Sequence, residues 1–464
     1  MKRSRVAWLC LLSVPFLLPS ALHAEPISFS DAWQQVLKVS DKLQAQSQEV
    51  NRAKGEQQAG EGLNLPSLDI RGNYIHLDKP IEFDLKELNS VVSIRPEIGS
   101  IIAGIPPLPL SEQDIFSASL QAMWPIYTGG QITAAQGIHA AMVAEKQQEL
   151  QLATRDLFTQ LVDRYYAVDV TQALVETQTD LVGSLTKHVE HALAMEREGQ
   201  IAKVERLNAQ VALDNAKVNL GSARRQHEMA VIALARMLQQ SQVSTHSSLF
   251  VLPHAPSLDQ LSQMTLSQHP ALKLLEAKEA QANGLVSLEK GKYHPTVFLF
   301  GNYTLYEEDT LLSSITPDWM VGVGVNVPLI SRDGRSGKVE AAKSALLQAR
   351  YTKAQTKQDL SLLVDQSYRQ LLQAEEEVKA LDTSLELATE NLRLREIAFN
   401  QGLSTSIDRV DAELKLSAVK TQQLAARYRY VQAYARLMAI SGQLDEFIGR
   451  TVDRHPVQEI NHAR

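Results

Sequence analysis

Thiol chemistry is nearly absent from this chain. Its single cysteine, Cys10, lies close to the N-terminus, so no disulfide within the chain and no cysteine-ligated metal site is available. Long hydrophobic runs are missing too: after residue 24 there is no stretch of 18 apolar residues, so any crossing of a membrane has to be made by strands. Basic clusters are absent. With 46 Lys+Arg against 53 Asp+Glu the formal net charge is −7, which argues against nucleic acid as a partner. What does stand at the start is Lys2, Arg3 and Arg5, an apolar stretch from Val6 to Leu18, and A-L-H-A ending at Ala24. This pattern predicts a secretory signal peptide over residues 1–24, because the apolar run is too short to span a bilayer. The mature chain is then expected to carry no thiol and no cysteine-linked lipid, and loss of three basic residues takes its charge from −7 to −10.

The chain contains itself twice. G-Q-I-A-K-V-E-R-L-N-A-Q (Gly199 to Gln210) recurs as G-L-S-T-S-I-D-R-V-D-A-E (Gly402 to Glu413), and M-W-P-I-Y (Met123 to Tyr127) recurs as N-V-P-L-I (Asn326 to Ile330), both 203 residues on. A third pair, P-S-L-D-I-R-G-N-Y (Pro66 to Tyr74) and P-T-V-F-L-F-G-N-Y (Pro295 to Tyr303), is 229 apart, so 26 extra residues lie between Tyr74 and Met123. A unit of this size implies two similar halves about a pseudo-symmetry axis rather than a solenoid.

From Gly130 to Glu198 there is no proline and little glycine, which predicts one unbroken helix of about 69 residues, about 100 Å long. Leu157, Leu161, Tyr165, Val168, Val175 and Val182 follow coiled-coil spacing, and the second half repeats them as Leu360, Val364, Tyr368, Leu371, Val378 and Leu385. A second helix is expected after Gly199, to about Gln239, and after Gly402, to about Ser441; short connections between long helices give antiparallel hairpins. Shorter helices are expected over Phe29 to Gly60 and Ser257 to Lys290, ending before Pro66 and Pro295. The strands are few. Leu68, Ile70 and Tyr74 alternate with Asp69, Arg71 and Asn73, and V-G-V-G-V-N-V (Val321 to Val327) puts four valines on one side. Each run is about ten residues, enough for a tilted strand to cross a bilayer. Tyr74, Trp124, Tyr303, Tyr306 and Trp319 lie toward strand ends, where interfacial aromatics facing outer-membrane lipid are expected. Four strands cannot close a barrel, so several protomers must share one.

This organisation resembles the TolC-type outer-membrane efflux proteins over nearly the whole chain after residue 24. The similar pieces are P-x-L-x-I-x-G-x-Y (Pro66 to Tyr74), W-P-I-Y-T-G-G (Trp124 to Gly130), and the G-x-x-x-x-[VI]-[DE] turns at Gly199 and Gly402. The resemblance implies a mainly α fold with membrane β. Long antiparallel coiled-coil hairpins form a periplasmic α-barrel, and each protomer of a homotrimer gives four strands to a shared 12-stranded outer-membrane β-barrel. The division expected is signal peptide 1–24, first repeat 25–245, second repeat 246–445 and C-terminal tail 446–464. Such proteins are passive exit ducts, without catalytic site or cofactor. They work with a periplasmic adaptor (membrane fusion protein) and an inner-membrane pump of RND, ABC or MFS type, in drug efflux and multidrug resistance or in type I secretion. Nothing in the chain chooses between small toxic compounds, metals and polypeptides as cargo. The rival reading is a periplasmic coiled-coil scaffold or adaptor without a pore.

The resemblance also carries site residues. The pattern G-x-x-x-x-x-D-x-x-D assigns the periplasmic gate to Asp408 and Asp411, opposite Glu205 and Asn208 in the first half, and threefold symmetry would gather those carboxylates into a negative ring favouring cations. T-S-I-D (Thr405 to Asp408) also reads as a helix-starting capping box, so Asp408 has two readings. The family's closed-state latch joins a tyrosine and an arginine to a carboxylate that matches Glu205; here Phe399 and Ser404 stand in their places. Arg206 and Arg409 are nearby cations able to substitute, or else solvated or intrahelical ion pairs. The turns at Gly199 and Gly402 are the ends a periplasmic adaptor would meet.

Other signals read as bland. H-V-E-H (His188 to His191) lacks zinc-site spacing and is expected to be a solvated helix face, so no metal site is predicted. G-R-S-G-K-V (Gly334 to Val339) is read as a strand-to-helix turn rather than a phosphate loop. The insertion, within Lys79 to Leu110, is expected to be an extracellular loop.

Overall fold

The computed structural model describes residues 26–84, 101, 104–253, 255–307, 317–330 and 332–452. The expected signal peptide, most of the insertion and the end of the expected tail lie outside the described residues.

Two short helices open the chain, α1 (Phe29–Val39) and α2 (Asp41–Glu61), where the sequence predicts one. The break falls at Ser40, whose backbone is extended at ψ 110° and whose Oγ accepts from Leu43 N at 3.4 Å. A short hydroxyl side chain before Asp41 competes with the helix for backbone donors, which ends one helix and starts the next. After β1 (Ser67–His76) come the two-residue strands β2 (Glu82–Phe83) and β3 (Leu108–Pro109), which pair with each other at the base of the insertion, and then β4 (Asp114–Tyr127). The first long hairpin is α3 (Gln131–Arg197) and α4 (Lys203–Leu238). Then α5 (Leu258–Gln268) and α6 (Pro270–Gly291) replace the single helix expected over Ser257 to Lys290. Pro270 pushes His269 out of helical geometry, to ψ 129°, and then serves as the first residue of α6. Strands β5 (Thr296–Glu307) and β6 (Trp319–Asn326) lead through Gly334, at φ +62°, to the second hairpin, α7 (Arg335–Asn400) and α8 (Ser406–Ser441). The last helix, α9 (Leu444–Val452), includes the start of the expected tail.

The long helices α3 and α7 have 67 and 66 residues, uninterrupted because neither contains a proline. Their seam residues Leu157, Leu161, Tyr165 and Val168, and Leu360, Val364, Leu371 and Val378, are buried. Helices α4 and α8 each have 36 residues, with starts at Lys203 and Ser406.

The sheet is antiparallel in the order β1-β4-β5-β6, leaving β1 and β6 as edges. Register pairs Ile70 with Leu120, Leu68 with Ala122, Trp124 with Leu299 and Leu299 with Val323, so one face is apolar from edge to edge. No described residue covers that face: Leu68, Ile70, Val321, Val323 and Val325 are all exposed. The opposite face carries Asp69, Arg71, Ser119, Gln121 and Asn302, with Phe298 and Phe300 lying over Gly324 and Gly322. At Gly324 a Cβ would come within 2.3 Å of the Phe298 ring, which is why V-G-V-G-V alternates valine with glycine.

The chain divides into two compact units. One comprises the described parts of Met1–Leu43, Thr154–Ser267 and Leu362–Arg464. Its core is an aromatic cluster: the Phe29 ring lies 5.7 Å from Phe158, 5.4 Å from Tyr165 and 5.3 Å from Phe447 of α9. Tyr165 donates to Ile27 O at 2.8 Å and accepts from Ser247 N at 2.9 Å, so its buried hydroxyl is satisfied. The other unit, Gln44–Ala153 and Gln268–Ser361, holds the sheet with the helical segments that feed it. In it Gly129 turns β4 into α3 at φ +63°, where a Cβ would sit 2.6 Å from Gly291 O.

Candidate functional site

The two hairpin turns are built alike. Gly199 (φ +72°) donates to Glu196 O at 3.0 Å and Gln200 N to Met195 O at 2.9 Å; Gly402 (φ +73°) donates to Phe399 O at 2.9 Å and Leu403 N to Ala398 O at 2.8 Å. Each is a Schellman stop, in which a left-handed residue lets two amides reach back to the last helical carbonyls, and glycine takes that conformation without strain.

Beyond the turns the halves diverge. Thr405 caps α8: its Oγ1 accepts from Asp408 N at 3.2 Å, and Asp408 Oδ2 accepts from Thr405 N at 3.1 Å and from Ser404 Oγ at 3.0 Å. The backbone amide and hydroxyl of Thr405, the Ser404 hydroxyl and Arg395 hold the Asp408 carboxyl below its usual range. The corresponding cap of α4, Ala202, has no side chain to offer. Glu205, which occupies the place of Asp408, is thereby released from its own turn and accepts from Ser406 N of the second hairpin at 3.2 Å. One carboxylate caps its own helix and the other caps its neighbour's.

Around this contact the tips are joined by buried polar groups. His188 Nε2 lies 2.7 Å from Ser406 Oγ, and the two residues are 3% and 1% exposed. Ser184 Oγ donates to Glu413 Oε2 at 2.7 Å and accepts from Arg409 Nη2 at 3.1 Å. Arg409 pairs as well with Glu413 at 3.4 Å and Glu396 at 3.7 Å. Phe399, where the resemblance expects a tyrosine, sets its ring against His188 and His191, with centroids 4.9 and 5.9 Å away. Burial, with Arg409 and His191 adding repulsion, lowers the His188 pKa from 6.5 to about 4. Beneath lies an apolar cluster of Leu181, Leu185, Leu213 and Val410.

The expected solvated face at H-V-E-H is therefore corrected: Glu190 and His191 are exposed, but His188 is buried between hairpins. Of the two cations weighed, Arg206 pairs with Glu196 across its own turn, whereas Arg409 is buried and reaches the other hairpin. Asp411 is exposed one turn along α8 from Asp408. Ser184 and Glu413 escape the sequence reading, although Arg409 and Glu413 show the four-residue spacing of a helical ion pair. Among the described residues no group of three or more His, Cys, Asp or Glu is arranged for a metal ion, and no helix is long and apolar enough to cross a membrane. In the sheet, Tyr74, Tyr303 and Trp319 gather toward the end away from the helices, with Tyr303 paired to Trp319, and Trp124 lies toward the other end, donating to Asn64 O at 2.9 Å.

Residues 32–239 and 261–443 match the family described as outer membrane efflux protein. Nodulation protein T of Rhizobium leguminosarum bv. trifolii is 25% identical over 181 residues, 38% of this chain and 37% of that protein. Outer membrane efflux protein BepC of Brucella suis biovar 1 is 25% identical over 269 residues, 56% of each. The chain thus spans about half or less of these two curated relatives. The solved structure of VceC from Vibrio cholerae, an outer membrane protein, superposes with a TM-score of 0.72 at 15% identity, covering 89% of this chain and 96% of that one. At that identity the likeness is one of fold.

Proposed function

Because this chain belongs to the outer membrane efflux protein family, we propose that it is a homotrimeric, passive exit duct of a tripartite efflux or type I secretion system. Membership makes it an outer-membrane channel protein with a periplasmic helical part, and not an enzyme. The observation that carries the duct reading is the open four-stranded sheet, apolar and exposed on one face, carrying Asp69, Arg71, Ser119, Gln121 and Asn302 on the other, and attached to helices of 66 and 67 residues. Edges such as β1 and β6 leave backbone donors and acceptors that lipid cannot satisfy, so the sheet needs neighbouring copies to close on. Three copies complete a barrel of twelve strands with apolar side chains toward lipid and polar ones toward water. The halves 25–245 and 246–445 act as duplicated repeats, so three chains approximate six hairpin units around one tunnel. A scaffold without a pore leaves the exposed valine face unexplained.

At the periplasmic end Asp408 and Asp411 of three chains form the acidic ring. Glu205 and Arg409 tie the two hairpins of each chain, and Arg206 stiffens the first turn. The turns at Gly199 and Gly402 receive a periplasmic adaptor coupled to an inner-membrane pump of RND, ABC or MFS type. Tyr74, Trp124, Tyr303 and Trp319 sit at the lipid interfaces. The test is electrical. Purified trimer in planar bilayers conducts ions and is blocked by multivalent cations; Asp408→Ala with Asp411→Ala weakens that block by about tenfold or more, as expected when six carboxylates leave one constriction. Unchanged block removes the acidic-ring assignment.

A further inference from the structure

The face of the sheet that carries Asp69 and Arg71 changes character along its length. Away from the helices it pairs Asn73 with Ser117 and Arg71 with Ser119, and the next row is Asp69, Gln121, Asn302 and Met320. Then come Ser67, Met123, Phe300 and Gly322, and last, at the end that feeds α3, Pro125, Phe298 and Gly324. The Phe298 and Phe300 ring centroids are 6.1 Å apart, and both rings lie against β6, where a Cβ at Gly322 would come within 2.6 Å of the Phe300 ring. Rings packed over cross-strand glycines steady a strand pair, which accounts for the two phenylalanines. It does not account for Met123 and Met320, 53% and 49% exposed on the same face, whose cross-strand partners are Ser67, Phe300 and Asn302 rather than glycine. Rings and thioethers together line a concavity of about 700 Å³, a size that holds a drug-sized molecule.

We infer that Phe298, Phe300, Met123 and Met320 form an apolar collar on the water-facing side of the barrel, and that it takes small planar aromatic compounds bearing a hydrogen-bond donor as cargo in transit. Ring faces and unbranched thioethers accept flat apolar solutes without demanding one fixed pose. The charged groups of the concavity do not choose a sign, because Asp69 and Arg71 both line it and stand two residues apart on one face. The specific polar group is Asn302. Its Oδ1 is buried without a hydrogen-bond partner among the described residues, an acceptor that a donor on the bound molecule satisfies. Met320, opposite it and unbranched, can swing aside to expose it. One ring pair and one acceptor make a weak site, which suits a path that cargo must leave as well as enter.

The binding surface stands on the sheet alone; its place in the path of cargo rests on the duct reading, and the experiment separates the two. Full-length trimer held in amphipol is dialysed to equilibrium against aminonaphthalene, a neutral planar amine, and against naphthalene, which lacks the donor, with protein-free amphipol subtracted. Phe298→Ser with Phe300→Ser is expected to weaken aminonaphthalene binding at least about tenfold, the loss of two ring faces from one pocket. Met123→Thr with Met320→Thr leaves the packing of ring on glycine in place and weakens binding by about threefold or more. Unchanged binding in either pair of substitutions overturns the collar, and the methionine pair decides alone if the phenylalanine pair does not assemble. Asn302→Leu weakens aminonaphthalene by about threefold and does not weaken naphthalene; equal effects on the two compounds overturn the donor requirement. In planar bilayers aminonaphthalene lowers the conductance of the unmodified trimer, and the half-blocking concentration rises in the same variants. Binding that follows the variants while conductance is unaffected overturns the transit role. Absence of conductance from every trimer overturns the duct reading, while dialysis still decides the collar.

Discussion

His188 has an ordinary counterpart in any unfolded chain, where its ring titrates near 6.5, but in the folded tip its pKa is about 4. A base whose folded pKa lies below its unfolded value adds nothing to stability above 6.5. Between 6.5 and 4 the unfolded chain takes up a proton that the folded one refuses, so stability falls as pH falls through that window. The full effect is on the order of 3–4 kcal/mol, at about 1.4 kcal/mol per pH unit. We predict that thermal unfolding shifts downward from pH 6.5 to pH 4 more steeply in the unmodified protein than in His188→Gln, which keeps a polar partner for Ser406; parallel pH profiles would contradict it. Asp408 acts in the same direction but at lower pH. Its lowered folded value makes its contribution present above 3.8 and lost only as pH falls below that, outside the His188 window.

At the level of elements, the glycines of the turns separate two physical demands. Gly402 has open space where a Cβ would stand, so Gly402→Ala meets only left-handed strain, about 1–2 kcal/mol. Gly129 has the same backbone sign but a carbonyl oxygen 2.6 Å from the added Cβ. Gly129→Ala is therefore expected to lower the melting temperature of the purified protein clearly more than Gly402→Ala; equal shifts would mean that the β4-to-α3 connection is free to move. Both turn glycines were legible in the sequence because the left-handed backbone of a turn is a local demand, whereas the crowding of Gly129 by Gly291 was not. The long helices were legible for the same reason, through missing proline and a repeated apolar period. The breaks at Ser40 and His269 were harder to see, since a local capping preference there competes with an otherwise helical composition.

Of the two compact units, one holds a sheet that cannot stand alone and the other a helical core that is self-sufficient. Phe29, Phe158, Tyr165 and Phe447 pack in that core without help from another chain. Among the described residues, the sheet has no such partner for its apolar face. We predict that the protein fractionates with the outer membrane and runs in detergent gels as an oligomer that heat converts to monomer. Recovery as soluble periplasmic protein with no heat-sensitive oligomer would favour the scaffold alternative. Replacing Val321, Val323 and Val325 together with serine should abolish the heat-sensitive oligomer, since that face would no longer be stable against lipid.

The sequence by itself determined the spacing of 203 between the hairpin turns, the helical period and its buried seam, the alternating strands and the Thr405 capping box. Apart from the repeat spacing, which is read from self-similarity, all of these act within a few residues, where dihedral preference and periodicity decide the outcome. Only the tertiary structure decided that Glu205 caps the other hairpin, that His188 is buried rather than solvated, and that Arg409 rather than Arg206 reaches across. Those contacts join residues 201 to 225 positions apart. No local preference encodes the register of one hairpin against another, which is set by how the apolar seams of four helices pack.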